Sequence, residues 1–536
     1  MLKIVLYAVL YTIYFLMFSS CFERRLKVTE EYFCEEENFV FYKDNFYQTS
    51  MWMKAEKPLI DKVENLSNII INKKAQTYAY VHQKRFYFNG QPEKSNLEFG
   101  WIDATLYDDG SYSYVGNNGG VDGMHGLSGG ETKLIYNGVV VCDYSYTTGG
   151  DSEVRDAVYD SNEKAWYFVK YNNDTNMMQF IRDKKVLYES EIVQSYDLGR
   201  FAGKKNLTRI QTNDSFLIFL NDTLYKEISL QPGETVRYFT SSNDGTSFAY
   251  VIHGGDYFSM PEGCCSIVER NHIGGYWKVY HNNKFLGNYQ DVRYLILSED
   301  GEDIFFEATI GGEVQNRKSL HEMEPETIYY LQGGDANVYK NGEKYIFLEK
   351  NDKVKYQNYF DNTFLLTLTH KSGYINGKKV PQKKSDCSIE FMQYVTDRKK
   401  EHYALYFYYV CQQYTDEELL IIDGNIADAS SIDQEIKFVG FTQVSGDLVY
   451  YSETNITVGN KKFAITNPVS NVLMLQDEVF YSQNIENKKK MCVYSNGRRI
   501  SKEYDSVLFM EQSQDEKTIQ AFVKKDKKIF KLSISM

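Results

Sequence analysis

Along most of the chain, apolar and polar residues alternate in runs of four to eight, the period of a half-buried β-strand, and helical periodicity is nearly absent. Short turns separate the runs. The clearest stretch is Tyr276 to Ala308, where Trp277-Lys-Val-Tyr280 alternates, His281-Asn282-Asn283 turns, and a second strand follows around Lys284–Gly287. Val292–Leu297 predicts a third strand, Ser298-Glu-Asp300-Gly301 a turn, and Ile304–Ala308 a fourth, together one antiparallel sheet.

This grammar repeats. The first turn returns at Asn89-Gly90, Asn137-Gly138, Asn341-Gly342, Asn376-Gly377, Asp423-Gly424 and Asn496-Gly497, and in weaker form at Asp183-Lys184, Asn221-Asp222 and Gly459-Asn460. Successive copies lie roughly 35 to 60 residues apart, the period of a four-stranded propeller blade. Ten or eleven units follow. That exceeds the roughly 4–8 blades usual in one ring, so the expected fold is an all-β β-propeller arranged as two propellers, with one seven- or eight-bladed ring carrying insertions as the alternative. The irregular, Gly-rich stretch Gly254–Gly275, broken by Pro261, is the expected divider. The expected organisation is an export signal at 1–21, a tether at 22–36, an N-terminal propeller at 37–260 and a C-terminal propeller at 261–536.

Composition agrees with that pattern. The 536 residues include 46 Tyr and 33 Phe but only 7 Pro, and aromatic side chains favour pleated surfaces. With 43% apolar residues the chain can bury a large core, which excludes a disordered protein. A net charge of −13 argues against nucleic acid as a partner, because phosphate neutralisation needs a basic face. The clusters Arg398–Lys400, Lys488–Lys490 and Lys524–Lys528 are short enough to be solvated loops or edge strands.

The N-terminus bears on compartment. One cation at Lys3, an apolar run from Ile4 to Phe18 and then Ser19-Ser20-Cys21 have the layout of an export signal. Cys21 after two serines resembles a bacterial lipoprotein signal, which implies a lipid on that cysteine and a soluble, membrane-tethered remainder; Phe18 departs from the usual Leu. Plain secretion and a single retained span are the alternatives. The other seven cysteines form no Cys-x-x-Cys and no zinc-spaced cluster with histidine.

Ser242-Asn243-Asp244-Gly245 followed by Ala249-Tyr250, and Ser298-Glu299-Asp300-Gly301, resemble the strand–turn–strand box of bacterial WD-repeat-like propellers of the Tol-associated type. The resemblance holds at the level of repeat grammar from about residue 37 onward. It implies a binding platform in the cell envelope.

No motif names a chemistry. Gly126-Leu127-Ser128-Gly129-Gly130 has the spacing of a nucleophile elbow, but a hairpin follows where a helix is required. Seven of the fifteen residues from Gly116 to Gly130 are glycine, so an inter-strand loop is expected. Asp108, Asp109, Asn117, Asn118, Asp122 and His125 form the expected binding loop; they lack calcium-loop spacing, and neither metal nor cofactor is expected. His253 and His272 bracket the Gly254–Gly275 stretch and could converge. The expected function is a binding or scaffolding module of the envelope that contacts protein or carbohydrate. A hydrolase acting on sugar or peptide through channel carboxylates is the alternative.

Overall fold

The computed structural model describes residues 26–35, 39–43, 50–54, 70–72, 77–82, 85–93, 104–117, 121–122, 126–127, 132–143, 154–172, 176–202, 205–255, 258–259, 272–273, 275–318, 327–349, 352–360, 363–369, 372–380, 387–411, 417–427, 436–485, 488–513 and 515–535. These residues form eleven four-stranded antiparallel sheets, in each of which strands consecutive along the sheet hydrogen-bond side by side. Numbered along the chain, the blades are 1 (70–92), 2 (104–143), 3 (154–190), 4 (195–229), 5 (235–289), 6 (291–347), 7 (354–379), 8 (387–426), 9 (437–464), 10 (469–499) and 11 (506–535). The fold is a β-propeller.

The repeated turn works through one side chain. In blades 1 to 8 and blade 10, the first turn residue is Asn or Asp in the left-handed region, with φ between 44° and 55°. Its backbone N–H donates to the carbonyl of a residue at the start of the second strand, as Asn282 does to Phe248. Its Oδ1 accepts that same residue's N–H, at 2.8 Å for Phe248 and 3.0 Å for Tyr112 onto Asn137. The Asx side chain therefore links the turn joining strands three and four to strand two, and few other residues tolerate this conformation while offering an acceptor. Blade 9 has Gly459 there and keeps only the backbone bond.

This registry shifts the repeat frame by half a blade. Tyr276–His281 and Lys284–Tyr289 are the third and fourth strands of blade 5, while Asp291–Leu297 and Ile304–Lys318 are the first and second of blade 6. The four runs from Tyr276 to Ala308 thus belong to two sheets, because Ile304–Lys318 pairs with Thr327–Lys340 further along.

The expected division at 260/261 also falls inside a blade. Phe248–Gly254 pairs directly with Tyr276–His281, so the strands on either side of residues 255–275 are neighbours in blade 5, and Phe258–Ser259 pairs with His272–Ile273 in a separate hairpin. The expected tether at 22–36 is corrected as well. Lys27–Glu35 is the fourth strand of blade 11, paired along Lys528–Ser535, so the two ends of the chain close one sheet. Cys21 and the rest of the expected signal lie outside the described residues.

Successive blades pack face to face through apolar clusters. Ala249, Val279 and Trp277 of blade 5 meet Val292, Ile304 and Phe306 of blade 6. Phe364 and Leu366 of blade 7 meet Leu405 and Phe407 of blade 8. Aromatic contacts join other blades, with Tyr107 of blade 2 edge-on to Tyr159 of blade 3 at 4.9 Å. Each such side chain contributes about 1.5–3 kcal/mol when buried, which explains the aromatic composition. The Ser-x-Asp turns are structural too: Ser242 Oγ donates to Asp244 Oδ1 at 2.6 Å, and Asp244 Oδ1 accepts the Thr246 N–H at 3.0 Å. Bonds from the Ser242 hydroxyl and the Thr246 amide hold the Asp244 carboxyl down at about 2.

Candidate binding face on the inner strands of blades 4 to 7

The first strands of blades 5, 6 and 7 lie side by side. Each carries a β-bulge: at Arg237 between Val236 and Tyr238, at Tyr294-Leu295 between Arg293 and Ile296, and at Lys355 between Val354 and Tyr356. A bulge puts an extra residue on the strand and re-aims the neighbouring side chains. Arg237, Lys353 and Lys355 are exposed, as are the large rings of Tyr238 (39%) and Tyr294 (36%). Tyr294 has φ +53°, unusual for an aromatic residue, and its hydroxyl donates to the Lys355 carbonyl at 3.1 Å, joining blades 6 and 7. Tyr238 stacks on Trp277 with centroids 6.1 Å apart, and Trp277 packs on the buried His253 at 4.4 Å.

Charged groups lie beneath this surface. Arg293 Nε donates to Asp291 Oδ2 at 2.9 Å, and Arg293 stands opposite Glu307 across the strand pair. Glu307 is 3% exposed; its Oε1 accepts the Val354 N–H at 3.1 Å, and its Oε2 has no hydrogen-bond partner among the described residues. Burial pushes the Glu307 carboxyl up to about 7, against the Val354 bond and the charges of Arg293 and Lys353. Burial likewise raises Asp291, opposed by Arg293 and Lys353. In blade 4, Arg209 pairs with Asp197 and places its guanidinium 4.9 Å from the Phe239 ring centre. Arg293 and Lys353 thus act on Asp291 and Glu307, and the exposed Arg237 and Lys355 add cationic side chains to the same three first strands.

Glu307 has close counterparts elsewhere. Gln211 Oε1 accepts the Val236 N–H at 3.0 Å between blades 4 and 5, and Gln393 Oε1 accepts the Phe438 N–H at 3.0 Å between blades 8 and 9. Glu307 makes the same inter-blade clamp between blades 6 and 7, with a carboxyl in place of an amide.

The described residues of the expected binding loop fall in two places along the chain. Asp108 and Asp109 lie in the turn before Tyr112–Asn117, while Asn117 ends that strand and Asp122 pairs in the hairpin beyond it. Six residues at about 3.3 Å each separate the two groups by roughly 20 Å. Asp109 Oδ1 accepts the Ser111 N–H at 2.9 Å, and Asp108 Oδ1 accepts from Asn72 at 3.0 Å, so both hold turns and blades. Asn118 and His125 lie outside the described residues. Gly126–Leu127 pairs with Val121–Asp122 in a small hairpin, and Ser128 lies outside the described residues. His253 is buried on Trp277, and His272 pairs with Ser259 in the inserted hairpin. A cleft of about 150 Å³ between blades 4 and 5, lined by Tyr225, Lys226 and Asn282, is below the usual size of a ligand pocket, about 300–1,000 Å³.

The inner-face residues were not legible as a site in the sequence. The available signal is a break in alternation, with exposed Arg237 and Tyr238 adjacent where a regular strand exposes every second residue.

No family model matches the chain, and no curated protein matches it. Among solved structures, a eukaryotic initiation factor is similar at 9% identity over 74% of this chain and 97% of its own, with TM-score 0.36. The β-propeller domain of the Trilobed protease from Pyrococcus furiosus is similar at 12% identity over 61% of this chain and 96% of its own, with TM-score 0.24. The acylaminoacyl peptidase of Pyrococcus horikoshii is similar at 13% identity over 74% of this chain and 60% of its own, with TM-score 0.24. Likeness at this level leaves the fold to be read from the chain's own sheets, and the function from its own side chains.

Proposed function

We propose that the protein is an exported, lipid-anchored β-propeller that binds a carboxylate-bearing partner, protein or carbohydrate, in the cell envelope through the inner strands of blades 5 to 7. The observation that carries this reading is the exposed set Arg237, Tyr238, Tyr294 and Lys355 on three adjoining bulged strands. Guanidinium and ammonium groups offer charge-assisted hydrogen bonds to carboxylates, and the tyrosines offer flat apolar area with a polar edge. Ion pairs Arg398–Glu516 and Lys400–Glu299 link turns of blade 8 with those of blades 11 and 6 across intervening blades, which favours a compact ring containing blades 6 to 11 within a two-ring arrangement.

The test uses the purified full chain with poly-L-glutamate and polygalacturonate as probes. The double variant Arg237→Ala/Lys355→Ala is expected to weaken binding at least tenfold, and binding by the unsubstituted chain to fall with salt. Equal affinity of variant and wild type for both probes overturns the assignment of this face. Mass spectrometry of the mature N-terminus tests the anchor, which requires a lipid on Cys21.

The hydrolase reading has one observation in its favour, the raised carboxyls of Asp291 and Glu307 on one strand pair. Against it, Glu307 is buried and tied to the Val354 amide in an inter-blade bond of the kind that Gln211 and Gln393 make at other junctions.

A further inference from the structure

The first and second strands of blade 8, Cys387–Thr396 and Tyr403–Cys411, run antiparallel with Cys387 directly opposite Cys411. Directly opposed residues in an antiparallel ladder share a face of the sheet, and their Cα atoms lie about 5.5 Å or about 4.5 Å apart depending on the hydrogen-bonding site. Both spacings fall inside the disulfide range of about 4.4–6.8 Å. The other cysteines on described strands have different neighbours: Cys34 lies opposite Ile529, Cys142 opposite Leu134 and Cys492 opposite Gln483. The register thus brings together two cysteines that are 24 positions apart in the sequence.

We propose that Cys387 and Cys411 form a cross-strand disulfide in the oxidised protein. The two thiols lose two protons and two electrons as the S–S bond forms. A disulfide of the surroundings, small-molecule or protein, accepts them and is released as two thiols. The bond ties the inner strand of blade 8 to its neighbour at the end away from the Asp397–His402 turn, beyond the bulge between Phe391 and Gln393. The proposal rests on the export reading for its oxidising surroundings, because such bonds persist outside the reducing cytosol; the register itself is independent of compartment.

Tryptic mapping under non-reducing conditions is the test, since Lys384, Arg398, Lys400 and Lys437 isolate the two cysteines on separate peptides, 385–398 and 401–437. The purified full chain is incubated with glutathione disulfide, alkylated and digested. The expected result is peptide 385–398 joined to 401–437, released by reductant, and absent in Cys387→Ser and in Cys411→Ser. Recovery of both peptides alkylated, or linkage of either to another cysteine, overturns the proposal, and this wild-type arm needs no variant to fold. A parallel sample alkylated in intact cells separates the two claims. Linkage in the purified protein but free thiols in cells upholds the pairing and counts against export. No linkage in either removes the pairing and leaves export to the N-terminal measurement.

Discussion

Replacing Glu307 by Gln tests the physical account of the inner face where it is sharpest. The Glu307 carboxyl ordinarily titrates at 4.5, and burial between blades 6 and 7 raises it to about 7. Below 4.5 the folded and unfolded chains both hold the proton, so pH has no effect through this group. Between the two values only the folded chain keeps the proton, so stability falls as pH rises, by about 1.4 kcal/mol per unit. Above pH 7 the ionised folded state carries the full penalty of about 3 kcal/mol. Arg293, Lys353 and Asp291 face the same carboxyl, and their influence is contained in the value of about 7. Glutamine cannot ionise, and its amide oxygen can accept the Val354 N–H as Gln211 accepts that of Val236. Urea denaturation at pH 5 and pH 8 is the assay. Glu307→Gln is expected to match wild type within about 1 kcal/mol at pH 5 and to exceed it by about 2–3 kcal/mol at pH 8, because only wild type bears the cost of a buried charge. An identical pH dependence in both proteins, or a variant equally weakened at both pH values, would refute the reasoning.

The other predictions concern the turns and the closure. Asn282→Ala removes the acceptor for the Phe248 N–H and puts alanine at φ +47°; a loss of about 1–2 kcal/mol is expected by chemical denaturation, and Asn282→Gly should recover part of it. Gly301→Ala would bring a Cβ to 2.3 Å from Ser247 Cβ at φ +75°, and a lower thermal midpoint is expected, with a loss of about 1–3 kcal/mol. Deleting 26–35 leaves the Lys528–Ser535 edge unpaired, so size-exclusion chromatography should show self-association through that strand. The Asp423 carboxylate bonded to His402 Nδ1 at 2.8 Å raises that imidazole above 6.5. Its contribution is full below pH 6.5 and lost as pH rises through the folded value, so His402→Gln should flatten that part of a thermal-midpoint profile.

The sequence by itself determined the strands and the recurring turns. Alternation set the strands, and Asn or Asp at nine turns marked a recurring hairpin, because the left-handed conformation and the side-chain acceptor are both local properties; that this hairpin joins the third and fourth strands of a blade came from the sheet topology. Even the weak turns at Asp183, Asn221 and Gly459 were readable. Which strands share a sheet was not. The linker of one residue at Gln290, between Tyr289 and Asp291, passes from one blade to the next, while the strands on either side of residues 255–275, Phe248–Gly254 and Tyr276–His281, belong to the same blade; the partners that decide this lie far along the chain. Lys27–Glu35 looked like a tether because its partner strand is some 500 positions away, at Lys528–Ser535. The inner face depended on tertiary structure for the same reason. Bulges break the alternation that pattern reading relies on, and only the packing of three first strands brings Arg237, Tyr294 and Lys355 to one surface while burying Glu307 beneath it. Local geometry is encoded locally, whereas a raised carboxyl arises from burial among groups distant in sequence.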